Sequence, residues 1–395
     1  MFILKKKILI VNKSFAIGGI QTSLNNMLEE IKDSYDIDLL VFYDKGPLRE
    51  KVPKGINIIE PSMLVKTLGM SMNDLKYCKN PIKIIFRSFA AVWTKIFSNS
   101  LPISMALMTQ KKLKGYDVAI SFHQEAKVKN LVSGFNRFII RCVESPMKIG
   151  WVHADVVKGD LVNNQIKDTY FKLDKLVCVS DSALESLISS YPELKDKSSR
   201  CYNFHPYDEI LRKSNEYKNL YNKNDEIVLF SACRLSKEKG LKRAINPIRE
   251  LIKEGYKIKW YIAGDGSERE NLTKEIRKHA LEDTVFLLGP KSNPYPYIKE
   301  ADLLFISSYH EAAPMVVDEA KIIGTPIFST DIQAVREKIN EEFNFICENS
   351  EKGIYIGLKK LLNNPEQISK AKNNYLVQDN SNEKSKIFFR AVTEI

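Results

Sequence analysis

Short apolar runs alternate with longer amphipathic segments along the second half of the chain. The runs have the length of buried strands, and apolar residues recur at helical spacing in the segments between them. The predicted strands are Ile227–Cys233, Ile258–Ala263, Val285–Leu288, Leu303–Ile306, Pro326–Ser329 and Phe343–Cys347. The predicted helices are Lys239–Lys253, Glu268–Leu281, Tyr295–Ala301, Met315–Ile323 and Ile354–Leu362. Strands that alternate with helices in this way predict a parallel, doubly wound sheet.

The first half of the chain shows a looser version of the same pattern. Its predicted strands are Lys7–Val11, Asp38–Tyr43, Ile56–Ile59, Val118–Phe122, Lys148–Val152 and Leu176–Val179. A helical region from about Leu64 to Lys114 interrupts the series. The segment Phe204–Asp225 is polar and lacks clear periodicity, so we expect the domain junction there. The predicted domains are residues 1–204 and 205–378, with a C-terminal helix in 379–395 that crosses back to the first domain.

Two α/β domains of Rossmann-like architecture and similar size are therefore expected, facing each other across a cleft. Open parallel sheets bind ligands outside the carboxyl ends of their strands, so the loops after the strands are where functional residues are sought. The length of 395 residues and the hydrophobic content of 44% suit two or three globular domains. Fibrous and wholly disordered chains are excluded by the same composition.

The charge balance indicates an anionic partner. Lys and Arg number 60 against 49 Asp and Glu, which gives a formal net charge of +11. Nucleic acid, a phosphorylated small molecule and a membrane surface all fit such an excess. No apolar run is long enough to span a bilayer, and the N-terminus does not resemble a secretory signal. The six cysteines form no C-x-x-C pair, which predicts reduced thiols in a cytoplasmic protein and no zinc site.

Two glycine-containing turns follow predicted strands. Gly18 and Gly19 directly precede a predicted helix, where backbone N–H groups and the helix dipole attract an anion. The second turn contains Gly264 and Gly266, but Arg269 occupies the position of the third glycine in a dinucleotide-binding motif. A nicotinamide site is therefore not expected at either turn, and each turn alone is also explained by ordinary turn chemistry.

Cations and carboxylates follow two other strands of the second half. Arg234 leaves the end of its first strand, and Lys239 lies where the next helix begins, an arrangement that suits a diphosphate. Glu311 leaves a later strand, Pro314 suits a first helical position, and Glu319 lies in the helix that follows. The free N–H groups of that helix can hold a phosphate or sugar oxygen, and the two carboxylates can accept hydrogen bonds from hydroxyl groups.

These motifs together resemble the family-four glycosyltransferases, which have the GT-B fold. The most specific signature is the pair of glutamates, Glu311 and Glu319, separated by seven residues. The other matching segments occur in the expected order and are Gly18-Gly19 with Gln21, Gly150-Trp151-Val152-His153, Arg234 with Lys239-Gly240, Ala263-Gly264-Asp265-Gly266, and Asn293 near Tyr295. Cys233, Ala312 and Ala313 depart from the usual family residues, the last two beside the sugar.

The resemblance implies a nucleotide-sugar donor, which a UDP-sugar would fit, and no cofactor or metal ion. The residues that it assigns to the donor are Gly19, Arg234, Lys239, Gly264, Gly266, Ala313, Pro314, Met315 and Glu319. Arg234 and Lys239 would neutralise the diphosphate in place of a metal ion, and Glu319 would contact the ribose.

The same resemblance implies the catalytic and acceptor residues. Glu311 would contact hydroxyls of the transferred sugar, His153 would lie near that sugar, and Gln21 would reach the acceptor. The implied reaction is a retaining glycosyl transfer to a glycan, expected to be lipid-linked, in bacterial surface polysaccharide synthesis. A GT-B-fold sugar-nucleotide epimerase and a catalytically silent GT-B binding subunit are the alternatives.

A basic stretch of the first half suggests where a membrane would bind. Residues 61–116 contain nine Lys and Arg against Asp74 alone, and Pro81–Ser98 within them is predicted to be a helix. Lys83, Arg87, Thr94 and Ser98 share a narrow polar stripe, while the opposite face is broad and apolar. An interfacial helix on an anionic membrane and a helix packed on the first domain's sheet are both consistent with this pattern. The first alternative predicts a cytoplasmic protein attached peripherally to the inner face of the cell membrane. A nucleic-acid partner is not expected, because no recognition motif is present.

Two further groups of residues are candidates for functional chemistry. Asp36 and Asp38 form an Asp-x-Asp pattern that resembles the metal motif of GT-A transferases, but it lies at the entry to a predicted strand and is interpreted as coincidence. His123 and His310 are interpreted as structural, since the five histidines show no metal-ligand spacing.

Overall fold

A computed structural model of the chain describes residues 5–70, 72–221, 225–373, 375 and 382–394. The chain forms two compact units, one of Met1–Phe204 with Asn382–Ile395 and the other of His205–Ser381. The predicted boundary between residues 378 and 379 lies outside the described residues.

The first unit is built on a seven-stranded sheet. The strands in the described residues are β1 Lys7–Ser14, β2 Asp36–Tyr43, β3 Asn57–Ile59, β4 Val118–Ser121, β5 Met147–Val152, β6 Lys175–Cys178 and β7 Ser198–Arg200. They pair in the order β3-β2-β1-β4-β5-β6-β7, and every pairing is parallel. The sheet order therefore reverses between β1 and β4.

The second unit repeats this topology with six strands in the described residues. They are β8 Ile227–Ala232, β9 Ile258–Ala263, β10 Val285–Gly289, β11 Leu303–Ile306, β12 Ile327–Thr330 and β13 Phe345–Cys347. Their order is β10-β9-β8-β11-β12-β13, again all parallel, with the reversal between β8 and β11. The predicted pair of doubly wound parallel sheets is confirmed.

Helices connect the strands on both sides of each sheet. In chain order they are α1 Gly19–Ile31, α2 Met63–Gly69, α3 Met72–Lys76, α4 Pro81–Ile96, α5 Ser100–Met108, α6 Phe135–Cys142, α7 Asn164–Phe171, α8 Asp181–Ser190, α9 Tyr207–Lys213, α10 Leu241–Lys253, α11 Arg269–Lys278, α12 Tyr295–Glu300, α13 Met315–Ile323, α14 Gln333–Arg336, α15 Glu351–Leu362, α16 Pro365–Asn373 and α17 Glu383–Thr393. Short 3₁₀ helices occupy Pro47–Lys51, Pro192–Lys197 and Lys237–Lys239. None of the helices in the described ranges is long and apolar enough to cross a membrane.

Aromatic side chains fix the strands of the second unit against each other. Trp260 of β9 is fully buried, and its ring centroid lies 5.2 Å from that of Phe305 on β11. Phe305 in turn lies 5.6 Å from Phe328 on β12. Trp260 also donates a hydrogen bond from Nε1 to Ser231 Oγ on β8 at 3.0 Å. Because these contacts connect four strands, they fix the positions of those strands relative to one another.

The last helix, α17, belongs to the first unit. Phe389 is fully buried, with its ring centroid 5.5 Å from Tyr35 and 6.1 Å from Trp151 of β5. Lys175 Nζ donates hydrogen bonds to the carbonyl oxygens of Ala391 and Glu394, at 3.2 and 2.9 Å. The end of the chain therefore completes the core of the unit that its beginning forms.

The orientation of α4 differs from that of a helix packed on the sheet through its apolar face, which was one of the two alternatives. Its buried side chains are Phe86, Arg87, Ala90 and Thr94. Two of these four, Arg87 and Thr94, belong to the predicted polar stripe. Arg87 Nη2 donates a hydrogen bond to the Met70 carbonyl oxygen at 2.9 Å. The helix packs beside α2 and α5 through this side rather than on the sheet through its apolar side. Its broad apolar face is exposed.

Candidate functional site

The candidate site of the second unit lies where the sheet order reverses. β8 and β11 are neighbours, but the next strand along the chain lies to one side of β8 and to the other side of β11. The loops after these strands therefore diverge and leave a crevice at their carboxyl ends. The loop after β8 carries Arg234 and Lys239, and the loop after β11 carries Glu311. Arg234 is exposed, so its guanidinium is accessible to a ligand.

Lys239 and Glu311 form a bidentate ion pair across this crevice. Lys239 Nζ lies 2.6 Å from Glu311 Oε1 and 2.7 Å from Oε2. Ser308 Oγ donates a second hydrogen bond to Oε1 at 2.8 Å. The two side chains are only 20% and 12% exposed, so the pair is partly shielded from solvent. The structure thus brings together the predicted diphosphate cation and the predicted sugar carboxylate.

Backbone contacts hold the two loops in this arrangement. Ser307 Oγ donates to the Lys239 carbonyl oxygen at 3.0 Å, and the Tyr309 N–H donates to the Glu238 carbonyl oxygen at 2.8 Å. Gly240 has a φ of 62°, and a Cβ there would lie 2.2 Å from the Ser307 carbonyl oxygen. Only glycine allows this approach, because any side chain would force the loops apart.

Gly264 and Gly266 pack against the same region. A Cβ on Gly264, whose φ is 142°, would lie 1.9 Å from the Cys233 carbonyl oxygen. A Cβ on Gly266 would lie 2.3 Å from the Leu235 carbonyl oxygen. These glycines are thus required for the loop after β9 to contact the loop after β8. Their predicted donor contacts stay a prediction.

Helix α13 spans Met315–Ile323, which are the predicted bounds, but Pro314 precedes the helix. Pro314 has an extended backbone, with ψ of 110°, and serves as the N-cap, so Met315 is the first helical residue. Pro314 was expected at the first helical position. Its ψ is extended rather than helical, so it lies just before the helix instead. Ala313 and Met315 flank the cap, where the N–H groups of the first turn face away from the helix.

Glu319 lies within α13 in an enclosed position. Burial, and after it the charge of Asp318, raises the pKa of Glu319 to about 7. Burial and the charge of Glu319 also raise the pKa of Tyr295. A carboxyl group that changes its charge near neutral pH is a recurring property of functional sites.

Asp318 forms an ion cluster that the sequence analysis did not anticipate. Lys338 forms an ion pair with its carboxylate, and His205 Nε2 lies 3.1 Å from Oδ2. Burial opposes ionisation of Asp318, but Lys338 and His205 outweigh it and hold the pKa below its ordinary value. The three residues are up to 133 positions apart, and no motif connects them. Their contact depends on the fold alone.

The candidate residues of the first unit lie at its own reversal point. Gly19 is exposed in the first turn of α1, which has no acidic residue there, and Gly18 is its N-cap. Gly18 has a φ of 172°, an extended conformation that any residue adopts. Gln21 is half-buried two residues further along α1. Their roles at a diphosphate and an acceptor stay predictions.

His153 follows β5 and is held in one orientation. Its ring Nε2 donates to the Phe122 carbonyl oxygen at 2.9 Å, and its backbone N–H donates to Gln124 Oε1 at 2.6 Å. Burial and the neighbouring His123 lower the pKa of His153 to about 3, while burial lowers that of His123 to about 4. Both rings are therefore neutral at physiological pH. With Nε2–H occupied, His153 presents the Nδ1 lone pair as an acceptor.

A buried carboxylate shapes the loop that carries His123 and Gln124. Glu125 accepts hydrogen bonds from the N–H groups of Gly134, Asn136 and Arg137, at 2.9 to 3.2 Å, at the start of α6. Arg137 Nη2 adds an ion pair at 3.1 Å. Burial opposes ionisation of Glu125, but Arg137 and these hydrogen bonds lower its pKa. Glu125 was not predicted from the sequence, because its partners lie at the start of a later helix and no motif connects them to it.

The Asp-x-Asp pattern lies away from the ligand-binding edge. Asp36 and Asp38 open β2, at the amino end of the sheet. Asp38 accepts hydrogen bonds from Asn57 Nδ2 at 2.7 Å and from Tyr116 Oη at 2.6 Å. Asp38 therefore has a structural role between β2, β3 and the start of β4.

Most of the second unit matches a known protein family. Residues 212–376 match the family described as glycosyl transferases group 1. An uncharacterized glycosyltransferase of Methanocaldococcus jannaschii is 27% identical over 241 residues, which are 58% of this chain and 59% of that protein. An N-acetylgalactosamine-N,N'-diacetylbacillosaminyl-diphospho-undecaprenol 4-alpha-N-acetylgalactosaminyltransferase of Campylobacter jejuni is 27% identical over 196 residues, 49% of this chain and 52% of that protein. The matches thus span little more than half the length of these relatives.

The fold extends over the whole chain. The crystal structure of HepE from Anabaena in complex with UDP and glucose has a TM-score of 0.70, covering 99% of this chain and 100% of HepE. The sequence identity is 14%, so this likeness bears on the fold, which is the GT-B fold predicted from the sequence. The chain thus resembles the group 1 glycosyltransferases in sequence and fold, and the resemblance in sequence is carried by residues 212–376, which match the model of that family.

Proposed function

We propose that the protein transfers a sugar, with retention of configuration, from a nucleoside diphosphate to a lipid-linked glycan in bacterial surface polysaccharide synthesis. The observation that carries this proposal is the Lys239–Glu311 pair at the reversal point of the second sheet. It places a cation for phosphate beside a carboxylate for sugar hydroxyls, which is what recognition of a sugar diphosphate requires.

The donor would bind along the edge formed by the loops after β8 and β11. Arg234 and Lys239 would neutralise the diphosphate, supported by the first-turn N–H groups of α13 near Ala313, Pro314 and Met315. Glu319 would accept hydrogen bonds from ribose hydroxyls. In the first unit, Gly19 at the start of α1 would contact a phosphate through its backbone N–H.

Glu311 would accept hydrogen bonds from hydroxyls of the transferred sugar, and His153 is the residue of the first unit proposed to contact a sugar. Because His153 is neutral and its Nε2–H is donated to a carbonyl oxygen, its contribution would be to accept a hydrogen bond from a sugar hydroxyl at Nδ1. It would not supply the proton for the leaving group. Removal of the acceptor proton is therefore assigned to the leaving diphosphate itself, with the cations stabilising the charge that develops there.

The names of the relatives support a lipid-linked acceptor and a uridine donor. The Campylobacter jejuni relative is named for a diphospho-undecaprenol acceptor, and HepE was crystallised with UDP and glucose. A lipid-linked acceptor would bring the enzyme to the inner face of the cell membrane. No observation favours a sugar-nucleotide epimerase or a silent binding subunit over glycosyl transfer.

Thermal stabilisation by nucleotides tests the donor site. UDP or a UDP-sugar at 100 times its dissociation constant should raise the free energy of unfolding by about 2.7 kcal/mol. We expect a corresponding increase in the melting temperature that is absent in an Arg234→Ala/Lys239→Ala variant. Release of UDP only when a polyprenyl-diphosphate glycan is added would support transfer. Acceptor-independent release of UDP would support an epimerase, and binding without release in either case would support a silent subunit.

Metal dependence tests the proposed role of the two cations. Transfer should persist in excess EDTA, because Arg234 and Lys239 supply the positive charge that a divalent ion supplies elsewhere. The measurement is UDP release at saturating donor and acceptor, with and without the chelator. Activity that is lost in EDTA and restored by Mn²⁺ would contradict this assignment.

A further inference from the structure

Helix α4 presents an apolar stripe to solvent. Ile82, Ile85, Phe89, Val92 and Ile96 are 40–70% exposed. At 100° per residue they fall within about 80° of one another and form a stripe about 20 Å long. An exposed apolar surface of this kind marks an interaction site.

Aromatic rings form one border of the stripe. The ring centroids of Phe89 and Trp93 are 5.8 Å apart, and those of Trp93 and Phe97 are 4.5 Å apart. Trp93 is half-buried and Phe97 is 57% exposed. Tryptophan and its aromatic neighbours favour the boundary between headgroups and acyl chains of a bilayer.

Lysines lie at both ends of the stripe. Lys79 is exposed just before α4, and Lys95 is exposed in its last turn. Lys129 donates a hydrogen bond from Nζ to the Ile96 carbonyl oxygen at 2.6 Å, which brings a third cation to the C-terminal end of the helix. Residues 75–116 contain eight Lys and Arg and no Asp or Glu. The surface around the stripe is thus cationic.

This charge distinguishes between two possible occupants. The spacing of the five apolar residues, alternately three and four positions, also suits a helix of a second copy of the chain. However, two copies would bring the same cations together, and residues 75–116 contain no Asp or Glu to pair with them. An anionic bilayer supplies both an apolar phase and negative headgroups.

We propose that the exposed stripe of α4 inserts into the headgroup region of an anionic bilayer, with Lys79, Lys95 and Lys129 contacting lipid phosphates. The inference deepens the proposed function and rests on it, since it names the surface by which the enzyme reaches a lipid-linked acceptor. Attachment itself requires no donor, acceptor or turnover.

Trp93 provides a direct readout of insertion. The other two tryptophans, Trp151 and Trp260, are 2% and 0% exposed, so a change in emission on adding lipid reports on Trp93. With vesicles of equal phosphatidylglycerol and phosphatidylcholine at low salt, we expect the protein to sediment with the lipid and its emission to shift to shorter wavelength. Both effects should weaken with pure phosphatidylcholine or with added salt.

Variants separate the apolar and charged contributions. Ile85→Ser/Phe89→Ser/Val92→Ser should lower the vesicle partition coefficient at least tenfold, whereas Ile356→Ser/Ile387→Ser, which changes exposed isoleucines elsewhere, should leave it unchanged.

Charge reversal is compared in the same way. Lys79→Glu/Lys95→Glu/Lys129→Glu should reduce binding to anionic vesicles by at least tenfold, since each cation near the surface contributes about fivefold. Lys274→Glu/Lys370→Glu, two exposed lysines of the second unit, is the control and should bind normally.

The outcomes distinguish this inference from the proposed function. Wild-type protein that binds UDP but neither sediments with anionic vesicles nor shifts its emission would overturn the inference alone. A dimer that Phe89→Ser dissociates, without vesicle binding, would assign the stripe to a second copy and also overturn it. Vesicle binding without UDP binding or release would support the inference and contradict the proposed function.

Discussion

Replacing Lys239 by alanine is expected to lower kcat/KM for glycosyl transfer by about 10²-fold or more. The substitution removes a cation that would stabilise the departing diphosphate. It also deprives the carboxylate of Glu311 of its bidentate partner and leaves it the hydrogen bond from Ser308 Oγ. Steady-state kinetics with a nucleotide-sugar donor measure the effect. Arg234→Ala should cause a loss of the same order, although Arg234 is exposed and forms no such pair.

The matched control is Lys237→Ala, which removes an exposed lysine from the same 3₁₀ helix. Its kinetics should remain close to those of the wild type. A double-mutant cycle of Lys239→Ala with Glu311→Gln then tests whether the two residues act as a unit, in which case the losses are far from additive. Near-normal turnover in both Lys239→Ala and Arg234→Ala, with the fold intact, would remove the assignment of the diphosphate site.

The architecture could be predicted because parallel strands buried on both faces are continuous apolar runs. Trp260 and Phe305 lie in such runs, and the observed strands agree with the predicted ones within a few residues. β7 was not predicted, since Ser198–Arg200 is polar and is recognisable only by its pairing with β6. Among the helices from α2 to α5, α4 was predicted individually as Pro81–Ser98, whereas the other three were predicted only as part of a helical region.

The orientation of α4 shows what periodicity does not determine. The pattern correctly gives a helix with two opposite faces, but it does not say which face meets the protein. Burial of the apolar face would be the ordinary outcome. Here Arg87 and Thr94 lie inside, with exposures of 5% and 1%, and the apolar face is outside. Because the apolar face of α4 is not buried against its own unit, it is available to contact an apolar partner.

The candidate site was predictable in its motifs but not in its electrostatics. Glu311 and Lys239 follow strand ends, so the topology brings them to one edge, and their pairing confirms that they are neighbours. The Asp318 cluster has no comparable signal, because His205 and Lys338 come from distant segments. The pKa of Glu319 is raised by burial and by the charge of Asp318. A sequence motif shows neither how deeply the carboxyl group is buried nor how it interacts with its neighbour.

Glu319→Gln is expected to stabilise the ligand-free protein at pH 8 by about 2–3 kcal/mol and to have little effect at pH 5. The pKa of Glu319 in the folded protein, about 7, is above its ordinary value. The folded state therefore favours the protonated carboxyl, and this stabilisation is lost as the pH rises through 7. Above pH 7 the wild type carries an ionised carboxylate in an enclosed position, whereas glutamine stays neutral. Chemical denaturation at the two pH values measures the difference.

The neighbouring residue gives a control of opposite sign. The ion pairs of Asp318 hold its pKa below the ordinary value, so its ionised form contributes stability at neutral pH. Asp318→Asn should therefore destabilise the protein at pH 7, by about 3 kcal/mol, because Lys338 is left as an uncompensated buried cation. A stabilising Asp318→Asn, or a Glu319→Gln effect that is the same at pH 5 and pH 8, would contradict this account.

The same titration should appear in nucleotide binding. If the ionised carboxylate of Glu319 accepts hydrogen bonds from ribose hydroxyls, the affinity of the wild type for a UDP-sugar should rise between pH 6 and pH 8. The Glu319→Gln variant should bind the UDP-sugar more weakly, and its affinity should not rise between pH 6 and pH 8. Because the ligand is the same in both measurements, the variant also shows any pH dependence that comes from the ligand itself. Calorimetric titration at three pH values is sufficient. Parallel pH profiles for the two proteins would show that Glu319 does not contact the nucleotide, and its substitution would then affect stability alone.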